Sequence, residues 1–172
     1  DKNHTFIANG IIVHNCGGTG KMISVDYKGD IYPCIRYMES SLGTDQEPII
    51  IGNTEHGLLK SEKEIAWNNC LQCITRKTES SEECYNCPIA AGCSWCSALN
   101  YQTFGTPDKR TTFTCVMHIA RALANARFVN KLFYLRGERK YFRNYVPEDW
   151  ALQIISEDEL RYLDYLENAL QS

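Results

Sequence analysis

The chain has 172 residues, a formal net charge of −3 and 44% hydrophobic residues. This length and composition predict one ordinary hydrophobic core with appended segments, and they exclude a disordered chain. The acidic balance argues against nucleic acid and anionic membranes as partners, and the chain has no run of about 18 apolar residues that would predict a membrane span. Because the N-terminus has no signal-peptide pattern and begins without Met, we expect a cytoplasmic protein of which this chain is a fragment.

Two β-hairpins are predicted in the N-terminal part of the chain. Residues 5–13 are two short β-rich runs around Asn9 and Gly10, a pair typical of a two-residue type I′ turn. In residues 23–32, apolar side chains alternate along the first strand, and a Lys-Gly-Asp turn leads into the second strand. We expect this second hairpin to deliver Cys34 at the end of a strand.

Helices are predicted in the rest of the chain. Residues 48–60 are typical of a short buried strand, a turn and the start of a helix that continues to Cys70, whereas residues 70–105 lack hydrophobic periodicity and are predicted as loop. Residues 114–135 have apolar side chains at three-to-four spacing, and Gly137 is expected to end that helix. Residues 156–170 form the last helix, which begins with a Ser-x-x-Glu capping box.

The residues after the first hairpin can cut and rejoin a peptide bond. When the side-chain amide of Asn15 is held in place, it can attack its own backbone carbonyl carbon, close a succinimide and release the amine of Cys16. His14 can carry protons in this step, and the thiol of Cys16 can accept an acyl group as a thioester. Taken alone, the tripeptide favours an ordinary hairpin followed by an incidental His-Asn-Cys.

The whole stretch DKNHTFIANGIIVHNC closely resembles the C-terminal splicing blocks of inteins. The resemblance implies that His4 assists cyclisation, that His14 is the penultimate histidine, that Asn15 cyclises and that Cys16 begins the C-extein. The chain carries no N-terminal splicing half, so the acyl shift that begins splicing cannot occur on it. We expect autocatalytic cleavage after Asn15, or splicing in trans with a partner that supplies the remaining intein portion.

The nine cysteines of the chain indicate a second function, which is metal binding. Their odd number, their CxxC pairs and the missing secretion signal favour reduced thiolates that hold metal over a disulfide framework. A short CxxC turn places two thiolates close enough to share a metal ion or one iron–sulfur cluster. The candidate ligands are Cys16, Cys34, Cys70, Cys73, Cys84, Cys87, Cys93, Cys96 and Cys115.

The order of these cysteines resembles the SPASM domain, a C-terminal extension of many radical S-adenosylmethionine enzymes that binds auxiliary [4Fe-4S] clusters. The matching pattern is Cys, then Gly-x4-Cys, a gap, CxxC-x5-Cys, a close further Cys and a final Cys. The run CPIAAGCSWCSALNY looks especially like radical enzymes that modify ribosomally made peptides. By resemblance, the first of two [4Fe-4S] clusters takes Cys16, Cys34 and Cys96, and the second takes Cys84, Cys87, Cys93 and Cys115.

The fourth ligand of the first cluster is not given by this pattern. Two residues separate Cys93 from Cys96, where three are more usual, and Cys70 and Cys73 form an additional pair. Either one thiol of this pair completes the first cluster, or the open iron binds substrate.

The two resemblances imply three segments: an intein segment at 1–15, a SPASM-like domain at 16–135 and a helical extension at 136–172. The fold class that follows is α+β, with small β-hairpins and Cys-rich cluster-binding loops before C-terminal α-helices. The implied enzyme forms thioether-type crosslinks on a Cys-containing precursor peptide. Because the chain lacks a CxxxCxxC motif, S-adenosylmethionine and a third [4Fe-4S] cluster belong to a missing radical core, the N-extein.

Two alternative functions stay open at this point. Cys70 and Cys73 form a CxxC-x10-CxxC unit with Cys84 and Cys87, a pattern typical of a structural zinc site in a non-catalytic interaction module. The other alternative is a sulfatase-maturase-like radical enzyme that acts on a protein Ser or Cys.

Overall fold

The fold combines antiparallel sheets with helices, which confirms the α+β class. The computed structural model describes residues 22–43, 46–90, 93 and 95–171, and the backbone alone of residues 5–8 and 11–14. The strands are β1 (Thr5–Ala8), β2 (Ile11–His14), β3 (Ser24–Val25), β4 (Asp30–Tyr32), β5 (Gly52–Asn53) and β6 (Gly57–Leu58). The helices are α1 (Glu39–Leu42), α2 (Glu62–Cys73), α3 (Arg76–Glu79), α4 (Glu82–Tyr85), α5 (Ser97–Phe104), α6 (Cys115–Arg136), α7 (Glu148–Ala151) and α8 (Glu157–Gln171). Within the described ranges, no helix is long and apolar enough to cross a bilayer.

Strands β1 and β2 form the predicted first hairpin. They pair antiparallel, and the register places Ala8 opposite Ile11. This register leaves a two-residue connection, as expected for the Asn-Gly pair. The hairpin is therefore confirmed, whereas the type of its turn falls on residues outside those described.

Strands β3 to β6 form an antiparallel sheet in sequential order, and its first pair is the predicted second hairpin. The carboxylate of Asp26 holds this hairpin together, because it accepts hydrogen bonds from the backbone of Lys28 and Asp30 and from the hydroxyl of Tyr32. The apolar side chains that alternate along β3 are exposed; the buried ones are on β4. Cys34 closely follows the end of β4, as the hairpin predicts, and the structure shows that it is buried.

The segment after β5 differs from its prediction. A helix was expected to begin near residue 57, but the chain instead returns as strand β6, and α2 begins only at Glu62. Gly57 has a φ of 84°, a left-handed conformation that favours glycine and suits a hairpin rather than a helix. The side chains of Ser61 and Glu64 each accept a hydrogen bond from the other residue's backbone N–H, and this capping box fixes where α2 starts.

The prediction of a loop between Cys70 and Gly105 is wrong. This stretch contains the end of α2 and all of α3, α4 and α5. Short helices of this kind are fixed by local caps rather than by an apolar stripe: Thr75 and Thr78, for example, exchange hydrogen bonds at the start of α3. Of the eight described cysteines, Cys70, Cys73, Cys84 and Cys115 lie in α-helices, and Cys96 directly precedes α5.

The two long C-terminal helices match their predictions at the ends. Helix α6 stops at Gly137, whose φ of 64° is the left-handed conformation of a helix C-cap. Ser156 and Glu159 form the predicted capping box of α8. Val116, one of the apolar side chains of α6, is exposed.

The chain divides into two compact units. Unit 1 comprises Asp1–Ser81 and Trp95–Thr111, and unit 2 comprises Glu82–Ser94 and Thr112–Ser172. The core of unit 1 is built from sheet, α2 and α5 residues and is rich in aromatic side chains, whereas that of unit 2 lies between helices and is mainly aliphatic. The segment boundaries predicted after residues 15 and 135 stay predictions.

Candidate metal centre

The predicted splicing residues fall mostly outside the described part of the chain. His14 is the last residue of β2, for which only the backbone is described. His4, Asn15 and Cys16 lie outside the described residues. Their roles in cleavage therefore stay predictions.

Unit 1 contains four described cysteines at distinct structural positions. Cys34 is buried in the core directly after β4, and Cys96 is the residue before α5 and packs against the same core. Cys70 and Cys73 lie in the last turn of α2, where Cys70 is half-buried and Cys73 is exposed.

Unit 2 contains the other four described cysteines, three of which lie on a series of tight turns. Cys84 is half-buried although its neighbours in α4 are exposed. The amide of Cys87 donates to the carbonyl of Cys84 at 3.4 Å, and the amide of Cys93 donates to the carbonyl of Ala90 at 3.3 Å. In such i to i+3 turns, side chains three residues apart stack on one side, which favours a shared orientation of Cys84 and Cys87. Cys115 is the first residue of α6 and is exposed.

The eight described cysteines are thiols rather than disulfides. Burial raises the pKa of the Cys70 thiol, and the nearby charges of Asp108 and Cys73 raise it further.

An aromatic cluster joins the segments of unit 1 that carry its cysteines. The ring of Tyr101 on α5 meets Trp67 on α2 edge-to-face at 5.6 Å, and it meets Tyr37 at 6.0 Å. Tyr37 closes the 3-10 helix that begins directly after Cys34. The cluster therefore packs α2, α5 and the segment after β4 against one another.

A buried polar network, which the sequence did not reveal, braces the same unit. The carboxylate of Glu79 has no exposed surface and accepts hydrogen bonds from Arg110 at 2.7 Å and from Asn100 at 3.1 Å. The side-chain oxygen of Asn100 in turn accepts from the amide of Thr111. The network connects α3, which follows Cys73, to α5, which follows Cys96, and so fixes where those two segments lie. Its partners are far apart along the chain, and no local pattern signals such a contact.

Cysteine thiolates are the ligands that hold [4Fe-4S] clusters in proteins. Each unit contains four described thiols, which is the number and type of ligand that one [4Fe-4S] cluster takes. Among the described residues, no three His, Cys, Asp or Glu side chains are arranged as a group that could hold a single metal ion. The chemistry of the thiols suits an iron–sulfur cluster, but the structure does not bring the described thiols together as a group of ligands.

No protein-family model, curated protein or solved structure matches this chain.

Proposed function

We propose that this chain carries the auxiliary iron–sulfur domain of a radical S-adenosylmethionine enzyme that modifies a ribosomally made peptide, preceded by the end of an intein. One observation carries the first part: the compact units divide the cysteines as the two implied ligand sets do. Cys34 and Cys96 belong to unit 1. The second set, Cys84, Cys87, Cys93 and Cys115, belongs entirely to unit 2.

The same division weighs against the zinc alternative. Of the four thiols in the CxxC-x10-CxxC pattern, Cys70 and Cys73 belong to unit 1, and Cys84 and Cys87 belong to unit 2. The iron–sulfur assignment takes each ligand set from a single unit, whereas the zinc assignment takes its ligands from both units. We prefer the iron–sulfur assignment because its second ligand set lies within one unit.

The chain's own residues would hold the clusters and control their surroundings. When bound, the clusters supply electron transfer beside the S-adenosylmethionine-binding core that this chain lacks. Trp95, next to Cys96, packs against the core of unit 1 and would limit access of water to the first site. The substrate in this proposal is a Cys-containing precursor peptide, and a sulfatase-maturase-like substrate is the runner-up.

The first hairpin supports the intein part of the proposal. Its register ends β2 at His14, so that Asn15 directly follows a strand whose backbone is fixed by pairing. In the proposed step, the side-chain nitrogen of Asn15 attacks its carbonyl carbon, the bond to the nitrogen of Cys16 breaks, and that nitrogen takes a proton and leaves as an amine. Residues 1–15 are released with a C-terminal succinimide.

The metal proposal is tested by anaerobic purification of the full chain with iron, sulfide and zinc analysis and an absorption spectrum. We expect about eight irons per chain, matching sulfide and a broad absorption near 400 nm, because two cubanes are present. Replacing Cys84 by Ser should lower the iron content by about four. One or two equivalents of zinc without colour would instead establish the structural zinc module.

The cleavage proposal is tested separately by intact-mass spectrometry of the same chain. We expect the mass to fall by that of residues 1–15 during incubation at neutral pH, and we expect an Asn15→Ala variant to keep its full mass. The His14→Ala variant should cleave more slowly, by a factor of about 10² to 10⁴, if the imidazole carries the proton. An equal rate of mass loss in wild type and Asn15→Ala would contradict the intein assignment.

A further inference from the structure

Helix α6 carries large apolar side chains on the side that does not face the core of unit 2. Leu123 and Ala126 of this helix are buried in that core. Met117, Phe128 and Leu135, in contrast, are 63%, 69% and 71% exposed. Nearly whole numbers of helical turns separate these three residues, so they form one stripe along α6. An exposed apolar stripe of this kind marks an interaction surface.

A cavity lies beside this stripe, between α6 and the start of α8. Its volume is about 310 Å³. Ala120 and Ala124 line it from α6, Ile155 and Leu163 line it from the other side, and Phe128 also borders it. The small alanine side chains leave open the space that larger side chains on α6 would fill. An apolar cavity of this volume suits a small organic group, such as an aromatic side chain that enters from outside.

The two helices that border the cavity carry opposite charges. Helix α6 has basic residues and no acidic residue, whereas acidic residues predominate in α8. The basic residues of α6 are Arg121, Arg127, Lys131 and Arg136, and the acidic residues of α8 are Glu157, Asp158, Glu159, Asp164 and Glu167. Charges of both signs therefore flank the cavity, as a surface that pairs with a copy of itself requires.

We propose that this face of unit 2 binds a second copy of the chain, with the two α6 helices antiparallel across a two-fold axis. Ala124 and Phe128 are one helical turn apart on the same face of α6. An axis that passes between them brings Phe128 of each copy to the cavity beside Ala124 of the other. The same axis pairs Met117 with Leu135, because these two residues are equally far along the helix from it.

This arrangement also brings together opposite charges of the two copies. Lys131, which is exposed, approaches the start of the other copy's α8, where Glu157, Asp158 and Glu159 are exposed. A second copy is the occupant that the observations favour, because one face supplies both the protruding Phe128 and the cavity, and both signs of charge. The inference does not depend on iron or on the intein segment.

The experiment measures the mass of the full chain by sedimentation equilibrium, with a thiol reductant present so that disulfides cannot link two chains. We expect the wild type to form a dimer of about twice 19.7 kDa. Phe128→Glu should weaken the dimer by roughly 30-fold or more, because a carboxylate would have to enter the apolar cavity. Tyr27→Glu is the matched control: it replaces an exposed aromatic residue of unit 1 and should dimerise as the wild type does.

A second measurement locates the contact without introducing a charge. Phe128 is replaced by p-benzoylphenylalanine, and a mixture of isotope-labelled and unlabelled chains is irradiated and analysed by mass spectrometry. We expect crosslinks between a labelled and an unlabelled chain that join position 128 to residues 120–124 or 155–163. Such crosslinks would place the ring of each copy at the cavity of the other.

Three outcomes would overturn the inference. The first is a wild-type chain that stays monomeric up to its solubility limit, which would show that something other than a second copy covers this face. The second is a dimer that Phe128→Glu weakens no more than Tyr27→Glu does. The third is crosslinking from position 128 that stays within one chain or maps elsewhere. The iron content of the protein is a separate readout, so these failures are distinguishable from a failure of the proposed function.

Discussion

Two cysteines, one from each unit, lie in different settings. In unit 1, Cys34 is part of the hydrophobic core and lies among sheet and aromatic residues. In unit 2, the core is formed by side chains such as Leu123 and Leu163, while Cys115 is exposed at the start of α6. A ligand built into a core contributes to folding before any metal arrives, and a ligand at an exposed helix end does not. The comparison teaches that Cys34 contributes to the packing of its unit without any metal, whereas Cys115 does not.

An ion pair in unit 1 and an ion pair in unit 2 also differ in their exposure to solvent. The ion pair between Glu79 and Arg110 in unit 1 is almost completely removed from solvent, with exposed fractions of 0% and 7%. The ion pair between Arg127 and Glu159 in unit 2 is about half exposed. Breaking a buried pair leaves an uncompensated charge in the interior, whereas an exposed pair contributes little, so the two pairs should respond very differently to mutation.

The largest effect is expected for Glu79→Ala in unit 1. Because Arg110 would remain buried without its carboxylate, we expect the free energy of unfolding to fall by about 3–5 kcal/mol. Denaturant unfolding followed by tryptophan fluorescence measures this loss. The control is Lys63→Ala in the same unit, which removes an exposed partner of Glu47 and should cost less than about 1 kcal/mol. Similar losses in the two variants would show that the buried network does not stabilise unit 1.

A smaller effect is expected for Cys34→Ser, compared with Cys115→Ser. In metal-free protein, a hydroxyl at the buried position of Cys34 should lower the free energy of unfolding by about 1–3 kcal/mol. The exposed position of Cys115 should tolerate serine within about 0.5 kcal/mol. Both changes should reduce the iron content of reconstituted protein, so iron analysis serves as the matched readout. If Cys115→Ser destabilises the metal-free protein as much as Cys34→Ser does, the contrast between the units is wrong.

The smallest effect is expected at the capping boxes, one in each unit. Ser61→Ala on α2 and Ser156→Ala on α8 each remove the acceptor for an N-terminal backbone amide of the helix. Each should cost about 1 kcal/mol in the free energy of unfolding, because cap energies are local. Threonine at either position should restore most of that stability. A much larger loss for Ser61→Ala would mean that the start of α2 also supports the core of unit 1.

Local signals in the sequence predicted local structure. The Asn-Gly pair predicts the first hairpin, Gly137 the end of α6, and the Ser156 and Glu159 pair the start of α8, because each acts within a few residues. The strand β6 was missed because a Gly-Leu-Leu run is compatible with either a strand or a helix start. Only the φ of Gly57, set by pairing with β5, decides between them.

The ligand sets of the candidate site stay predictions. The resemblance implies which thiols belong together, and the structure does not test that grouping. The burial that distinguishes Cys70 from Cys73 depends on the packing of α2, and the pairing of Glu79 with Arg110 joins positions 31 residues apart. Such long-range contacts are fixed by the tertiary fold, and single-sequence patterns carry no record of them.

The interleaving of the two units has a consequence for synthesis. The chain leaves unit 1 after Ser81, returns to it at Trp95 and leaves again after Thr111. On the ribosome, the sheet and α2 emerge before α4, but Trp67 and Tyr37 receive their shared partner Tyr101 only after the intervening segment has been made. A single cut between residues 82 and 111 therefore leaves both units incomplete, so the two cannot be obtained as separate fragments by cutting there.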